Sequence, residues 1–229
     1  MSGRWTTAIG LATGKARRAL LAAALLGAPL WLGACAVLDP TAPNLYTLTP
    51  SGPADLSVPR ADWQLLVETP VAGAGIDTPR IAVTRGVTAI DYFADVSWAD
   101  RVPNLLQGLI VQSFENSGRI VAVGRDTVGL RADFVLKTDL RDFQAEFVTA
   151  NATFPDRVHV RIAAKLVSMP RRTIEAGETF EAIVPVHGRT FPDVISAFNE
   201  ALGTVEAGLV QWALRNGNAV YRAGSGRTG

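Results

Sequence analysis

The 229-residue chain has one cysteine, Cys35, and two histidines, His159 and His187. A lone cysteine excludes an internal disulfide framework and any thiolate-rich zinc site. The histidines have no HxxxH, HExxH or cysteine companion, so a metal site is unsupported. His159 falls on the polar side of an alternating segment and His187 stands before Gly188, positions that suit surface or structural roles. Walker A, GxSxG and GxGxxG signatures are also missing, and Gly73-Ala74-Gly75 opens no helix that would cradle a phosphate. The Asp139/Asp142 pair is accounted for by a polar strand face. Neither sign of charge dominates, with 22 Lys+Arg against 21 Asp+Glu. That balance excludes a strongly basic nucleic-acid binder and an acidic disordered chain.

Acidic residues are absent from the first 34 positions, which carry Arg4, Lys15, Arg17 and Arg18. Removing that stretch leaves 18 basic residues against 21 acidic ones, a balance of −3. The uncharged run Ala19 to Leu32 is 14 residues long and contains Gly27 and Pro29. A spanning helix needs about 20 apolar residues, so a basic flank, a short apolar run and small residues after it read as a cleaved signal peptide over residues 1–34. No later stretch approaches a spanning length, although the mean hydropathy is +0.19. Cys35 follows directly in Leu32-Gly33-Ala34-Cys35, which resembles the bacterial lipobox. There the thiol receives diacylglycerol and the cysteine becomes an acylated N-terminus. Two or three chains anchor stably where one binds marginally, at about 0.8 kcal/mol per buried methylene. The expected modification is therefore covalent lipid (palmitate-type acyl chains) on Cys35, with no other cofactor. Ala36 in place of an aspartate resembles the sorting pattern for the outer membrane, facing the periplasm.

Residues 35–61 hold Pro40, Pro43, Pro50, Pro53 and Pro59 and read as a semi-extended tether, with a short strand at 45–49. Residues 62–215 read as one domain and 216–229, rich in Gly, Asn and Arg, as a flexible tail. Within the domain, Trp63–Glu68, Arg80–Thr84, a weaker Ala89–Phe93 and Ile120–Val123 have strand character. Val102, Leu105, Leu106, Leu109, Ile110 and Phe114 make one helical face, opened by Pro103 and stopped by Gly118. Three alternating strands follow. In the first, parity changes near Arg141-Asp142 so that Phe143, Ala145 and Phe147 continue the apolar face, which predicts a β-bulge. A second helix starts at Thr190-Phe191-Pro192-Asp193 and carries its apolar stripe from Phe191 to Trp212. The expected fold is α+β, an antiparallel sheet with two helices on one face.

Two clusters are candidates for function. Tyr92-Phe93 and Trp98-Ala99-Asp100-Arg101 gather aromatics and charges before the first helix. They read either as packing at the helix entry or as a partner-docking surface of Tyr92, Trp98 and Arg101. The second, Asp139, Arg141 and Asp142, lies on a polar strand face.

Several ordered segments resemble one family. They are Asp77-Thr78-Pro79-Arg80-Ile81-Ala82-Val83, Tyr92-Phe93, Trp98 to Pro103, Glu115-Asn116-Ser117-Gly118-Arg119 and Leu140 to Glu146, joined by Tyr46-Thr47-Leu48-Thr49-Pro50. Together with Cys35 they resemble the ABC-type transport auxiliary lipoproteins, the PqiC-like family, over about Leu45 to Trp212. The resemblance implies a non-enzymatic partner of an MCE-type lipid transporter. Such a system has an inner-membrane permease and ATPase and a periplasmic MCE protein that forms a conduit. This chain would dock the conduit to the outer membrane, and a homo-oligomeric ring would suit that place. The resemblance names no cargo and supplies no catalytic set. Two alternatives stay open: an outer-membrane assembly or secretion lipoprotein, and a module that itself carries lipid. Nucleic acid is not an expected partner.

Overall fold

A computed structural model describes residues 42–50, 57–86, 88–125, 131–149 and 151–225. The leader and Cys35 lie outside the described residues. Strand β7 (Phe134–Phe147, 14 residues) organises the nine-stranded sheet. Along one edge it pairs antiparallel with β8 (Arg157–Ser168), which pairs antiparallel with β9 (Thr173–Pro185). Along its other edge three short strands dock in sequence order, all parallel to it: β2 (Ala61–Val67), β3 (Val71–Ala72) and β4 (Arg80–Arg85). Strand β6 (Ile120–Arg125) adds to β2 in parallel, β5 (Ala89–Trp98) to β4 antiparallel, and β1 (Asn44–Tyr46) to β5 in parallel. The fold is α+β, as expected, but the sheet is mixed rather than wholly antiparallel. Alternation reports only that one face of a strand is covered. It does not report the direction of the neighbour, and that is where the antiparallel expectation failed.

The bulge is where parity places it: β7 and β8 shift register between Leu140 and Asp142. Leu136, Leu140, Phe143 and Ala145 are therefore all buried on one face, while Asp142, Gln144 and Glu146 turn to the other. Strand β5 runs longer than the Ala89–Phe93 reading. Arg80 pairs with Ser97 but Ala82 with Tyr92, so β5 carries three more residues than β4 across that step. Asp95 takes a left-handed φ of 58° inside it. This bulge breaks the alternation, which hid the second half of the strand.

Helices α1 (Val102–Ser117) and α2 (Phe191–Ser225) cover the apolar face. Pro103 lies in the first turn of α1, where its missing N–H costs nothing, and Gly118 closes it at φ 59° with its N–H on the Glu115 carbonyl. Helix α2 opens with Asp193 accepting both the Thr190 N–H and hydroxyl, at 2.8 and 2.6 Å. One core cluster packs Leu106, Leu109, Phe198 and Leu202 on Ile81, Leu140, Phe143 and Val160. The other packs Ile110, Phe114, Leu209 and Trp212 on Trp63, Leu65, Leu136 and Leu166.

Residues 216–225 are helical, not a frayed tail. A Cβ on Gly217 would come within 2.3 Å of Trp63 Cζ2, so only glycine lets the helix lie against the indole. Asn218 then accepts from Trp63 Nε1 and donates to the Pro59 carbonyl, both at 2.9 Å. The Gly- and Asn-rich composition that suggested fraying is the means of docking. The front boundary moves too. Tyr46 packs on Phe191, Leu48 is 3% exposed, and the Thr49 N–H donates to Asn199, so the body takes in chain that composition alone assigned to the tether.

Candidate functional site

The docking cluster divides. Trp98, at 1% exposure, is interior, packed between Phe143 and Phe198 at centroid distances of 5.7 and 5.1 Å. It is a core residue, which removes it from any docking surface. Its neighbours stay at the rim. Tyr92 is half-buried, donates its hydroxyl to the Gly75 carbonyl at 3.0 Å and lies 3.6 Å under the Arg80 guanidinium. Exposed Arg101 reaches Asp77 at 2.5 Å, not Asp100, whose carboxylate accepts the Arg101 N–H at 2.6 Å. The cluster thus ties the 75–80 loop to the entry of α1, and only its outer side is open to a partner.

The helix-free face carries a second feature, a cleft of about 680 Å3 between β4, β5, β7 and β8. Ile76, Ile90, Phe147 and Val148 supply an apolar wall, and Gln144, Glu146, Arg157 and His159 a polar one. The bulge puts the polar residues there, and the register then sets Asp142 against Arg161, Gln144 against His159 and Glu146 against Arg157. Arg161 pairs with Asp142, and Arg157 with Glu146 at 2.7 Å. His159 bridges strands: Nδ1 lies 3.0 Å from Glu146 and Nε2 2.7 Å from Glu181 of β9. Ionised carboxylates only accept, so both contacts are hydrogen bonds together when the ring holds both protons.

Burial would push the Glu146 carboxyl up, but hydrogen bonds from Arg157, His159 and Gln144, with the Arg157 charge, outweigh it and hold the group below its ordinary value. Asp156 is held low as well, chiefly by the Thr149 and Val148 N–H groups that fold the loop after β7. The chemistry available here is electrostatic cross-linking of three strands. Among the described residues no group of three His, Cys, Asp or Glu is disposed to hold a metal ion, and no helix is long and apolar enough to cross a membrane. The sequence offers Asp142 in a cluster with Asp139 and Arg141, and His159 as a surface or structural residue. Arg141 pairs with Asp139 at 3.6 Å while Asp142 turns to Arg161, and Glu146, Arg157 and Glu181 went unnoticed as members of the network. Stepping the polar positions of β7 and β8 against each other from the bulge would have paired them.

The profile of the ABC-type transport auxiliary lipoprotein component family matches residues 46–209. The chain belongs to that family. The matched span begins at the last residue of β1 and ends on α2, so it takes in β2 to β9 and α1 whole, and the last turns of α2 that lock on Trp63 lie beyond it. The auxiliary lipoprotein is 30% identical to XCC0632 of Xanthomonas campestris, whose crystal structure aligns with a TM-score of 0.71 over 78% of this chain and 99% of that one. Another solved structure, an uncharacterised protein, shows the same fold at 11% identity, with a TM-score of 0.58 over 74% of this chain and 97% of its own. An uncharacterised protein of Bradyrhizobium diazoefficiens is 28% identical over 155 residues, 66% of this chain, which in turn spans 39% of that relative's length.

Proposed function

We propose that this auxiliary lipoprotein is the non-enzymatic, membrane-anchored component of an MCE-type lipid transporter, acylated on Cys35 and facing the periplasm from the outer membrane. The family match over residues 46–209 carries the reading, and the Leu32–Cys35 lipobox supports the anchor. The partners are an MCE-domain conduit with its inner-membrane permease and ATPase, which matches the missing nucleotide motif here. Eight residues separate Cys35 from Asn44, where the chain joins the sheet. At no more than about 3.6 Å per residue that linker reaches about 30 Å, which keeps the domain close to its bilayer. With Trp98 in the core, Tyr92 and Arg101 are what remains of the proposed docking surface. Affinity purification of the acylated protein from native membranes tests the reading: an MCE protein should co-purify, and its repeated absence counts against it.

The cleft favours one second reading, a module that binds lipid itself. Its volume of about 680 Å3 lies within the range of ligand pockets, and Ile90 and Val148 on its wall are 51% and 57% exposed. Native mass spectrometry of the protein from membranes decides it: retained phospholipid supports cargo binding, and a bare chain leaves the adaptor reading alone.

A further inference from the structure

Among the described residues, five Lys and Arg side chains are answered by a carboxylate. Arg101, Lys137, Arg141, Arg157 and Arg161 each have an ion-pair partner. At one end of the sheet six arginines gather without such a partner. Arg60, Arg131, Arg171, Arg172, Arg215 and Arg222 are all exposed and make no ion pair among the described residues. The topology brings them together. Arg60 precedes β2, and its neighbour Pro59 accepts from Asn218 on the last turns of α2, where Arg215 and Arg222 border the same small cavity as Pro59. Arg131 leads into Asp133, whose carboxylate accepts the Gln64 N–H and whose carbonyl accepts the Met169 N–H. Met169 opens the tip of the β8–β9 hairpin, which carries Arg171 and Arg172. Arg119 stands nearby, its carbonyl accepting the Ala61 N–H at 2.7 Å.

Among the described residues the acidic groups of this end are Asp62, Glu115, Asp133 and Glu175, of which Asp133 and Glu175 already accept hydrogen bonds. Exposed apolar side chains stand among the arginines: Val121 at 53%, Ile174 at 58% and Tyr221 at 39%. Arginines borne on several elements, unpaired and mixed with apolar and aromatic groups, suit a diffuse anionic plane better than one fixed partner geometry. We infer that this end of the domain binds the headgroup surface of an anionic phospholipid bilayer, independently of the acyl anchor. It lies at the far end of α2 from Tyr46, where the anchored chain enters, about 50 Å away along a 35-residue helix. The inference goes beyond the adaptor reading and does not depend on it.

Residues 42–229 form one compact unit that contains both core clusters whole, so this anchorless piece is the one to test. Co-sedimentation is measured with phosphatidylcholine vesicles, with and without about one-third phosphatidylglycerol. Binding is expected only to the anionic vesicles, and it should fade as ionic strength rises and the screening length shrinks below about 10 Å. The double variant R171A/R172A should bind about 25-fold more weakly, and R215A/R222A by a similar factor, at about fivefold per arginine. Arg189→Ala, an exposed position just before the start of α2 at the other end, should bind as the parent does. Equal binding to both vesicle types, or unchanged binding of both double variants with native circular dichroism, overturns the proposal. Loss of an acidic envelope protein from pull-downs of these variants, with no vesicle binding by the parent, overturns it too and assigns the surface to a protein.

Discussion

At Gly217 a missing side chain does structural work, because a methyl group there would overlap Trp63. Gly217→Ala is expected to lower stability by about 1–3 kcal/mol through overpacking. Asn218→Leu should cost a similar amount, since it leaves the buried Trp63 N–H without its acceptor. Urea unfolding of each variant measures both. The same logic separates Trp98 from Arg101. Trp98→Ala empties a fully buried site and should cost about 3–5 kcal/mol, whereas Arg101→Ala removes an exposed pair worth less than about 1 kcal/mol. A loss of partner binding in the tryptophan variant is thus a loss of folded protein. The arginine variant, with native unfolding behaviour, is the one that reports on docking.

The three-strand unit β7–β8–β9 gives the predictions at the scale of elements. The Glu146 carboxyl is held below its ordinary value of 4.5 in the folded state. Its contribution is therefore complete above the unfolded value and is lost as pH falls through the lower, folded one. Glu146→Gln should be less stable than the parent near neutrality, and its stability should fall less steeply with acid below about pH 5. A steeper acid dependence in the variant would contradict this. Deleting Arg141 should remove the bulge and leave Asp142 paired with Arg161 and Phe143 and Ala145 still on the core side, so the protein should keep a cooperative thermal melt, and a non-cooperative melt would contradict this. These elements also show what a sequence makes legible. The bulge, both helix starts and the helical apolar stripes could be read because each leaves a periodic trace within one segment. The parallel pairing of β2, β3 and β4 could not, since relative direction depends on which distant strand each lies beside and leaves no trace within the strand itself. Strand β5 was read short because Asp95 interrupts its period, and the end of α2 because Gly217 and Asn218 look like fraying until Trp63 is set opposite them.

For the whole molecule, two packed cores and a cross-linked polar sheet face leave the outer surface and the cleft as the places where a partner or ligand could bind. The candidate sites were half legible on this scale. Cys35 and the aromatic cluster could be named from the sequence, but only packing shows that Trp98 faces inward, and only register assembles Glu146, His159 and Glu181. Truncation after Leu214 should lower the urea midpoint markedly, because it uncovers Trp63 and removes the Asn218 bridge to Pro59. The acyl anchor on Cys35 is tested most directly by mass spectrometry of the mature N-terminal peptide. This peptide is expected to begin at Cys35 and to carry diacylglycerol and an amide-linked acyl chain. A mature protein that begins elsewhere, with the Cys35 thiol free, would contradict it.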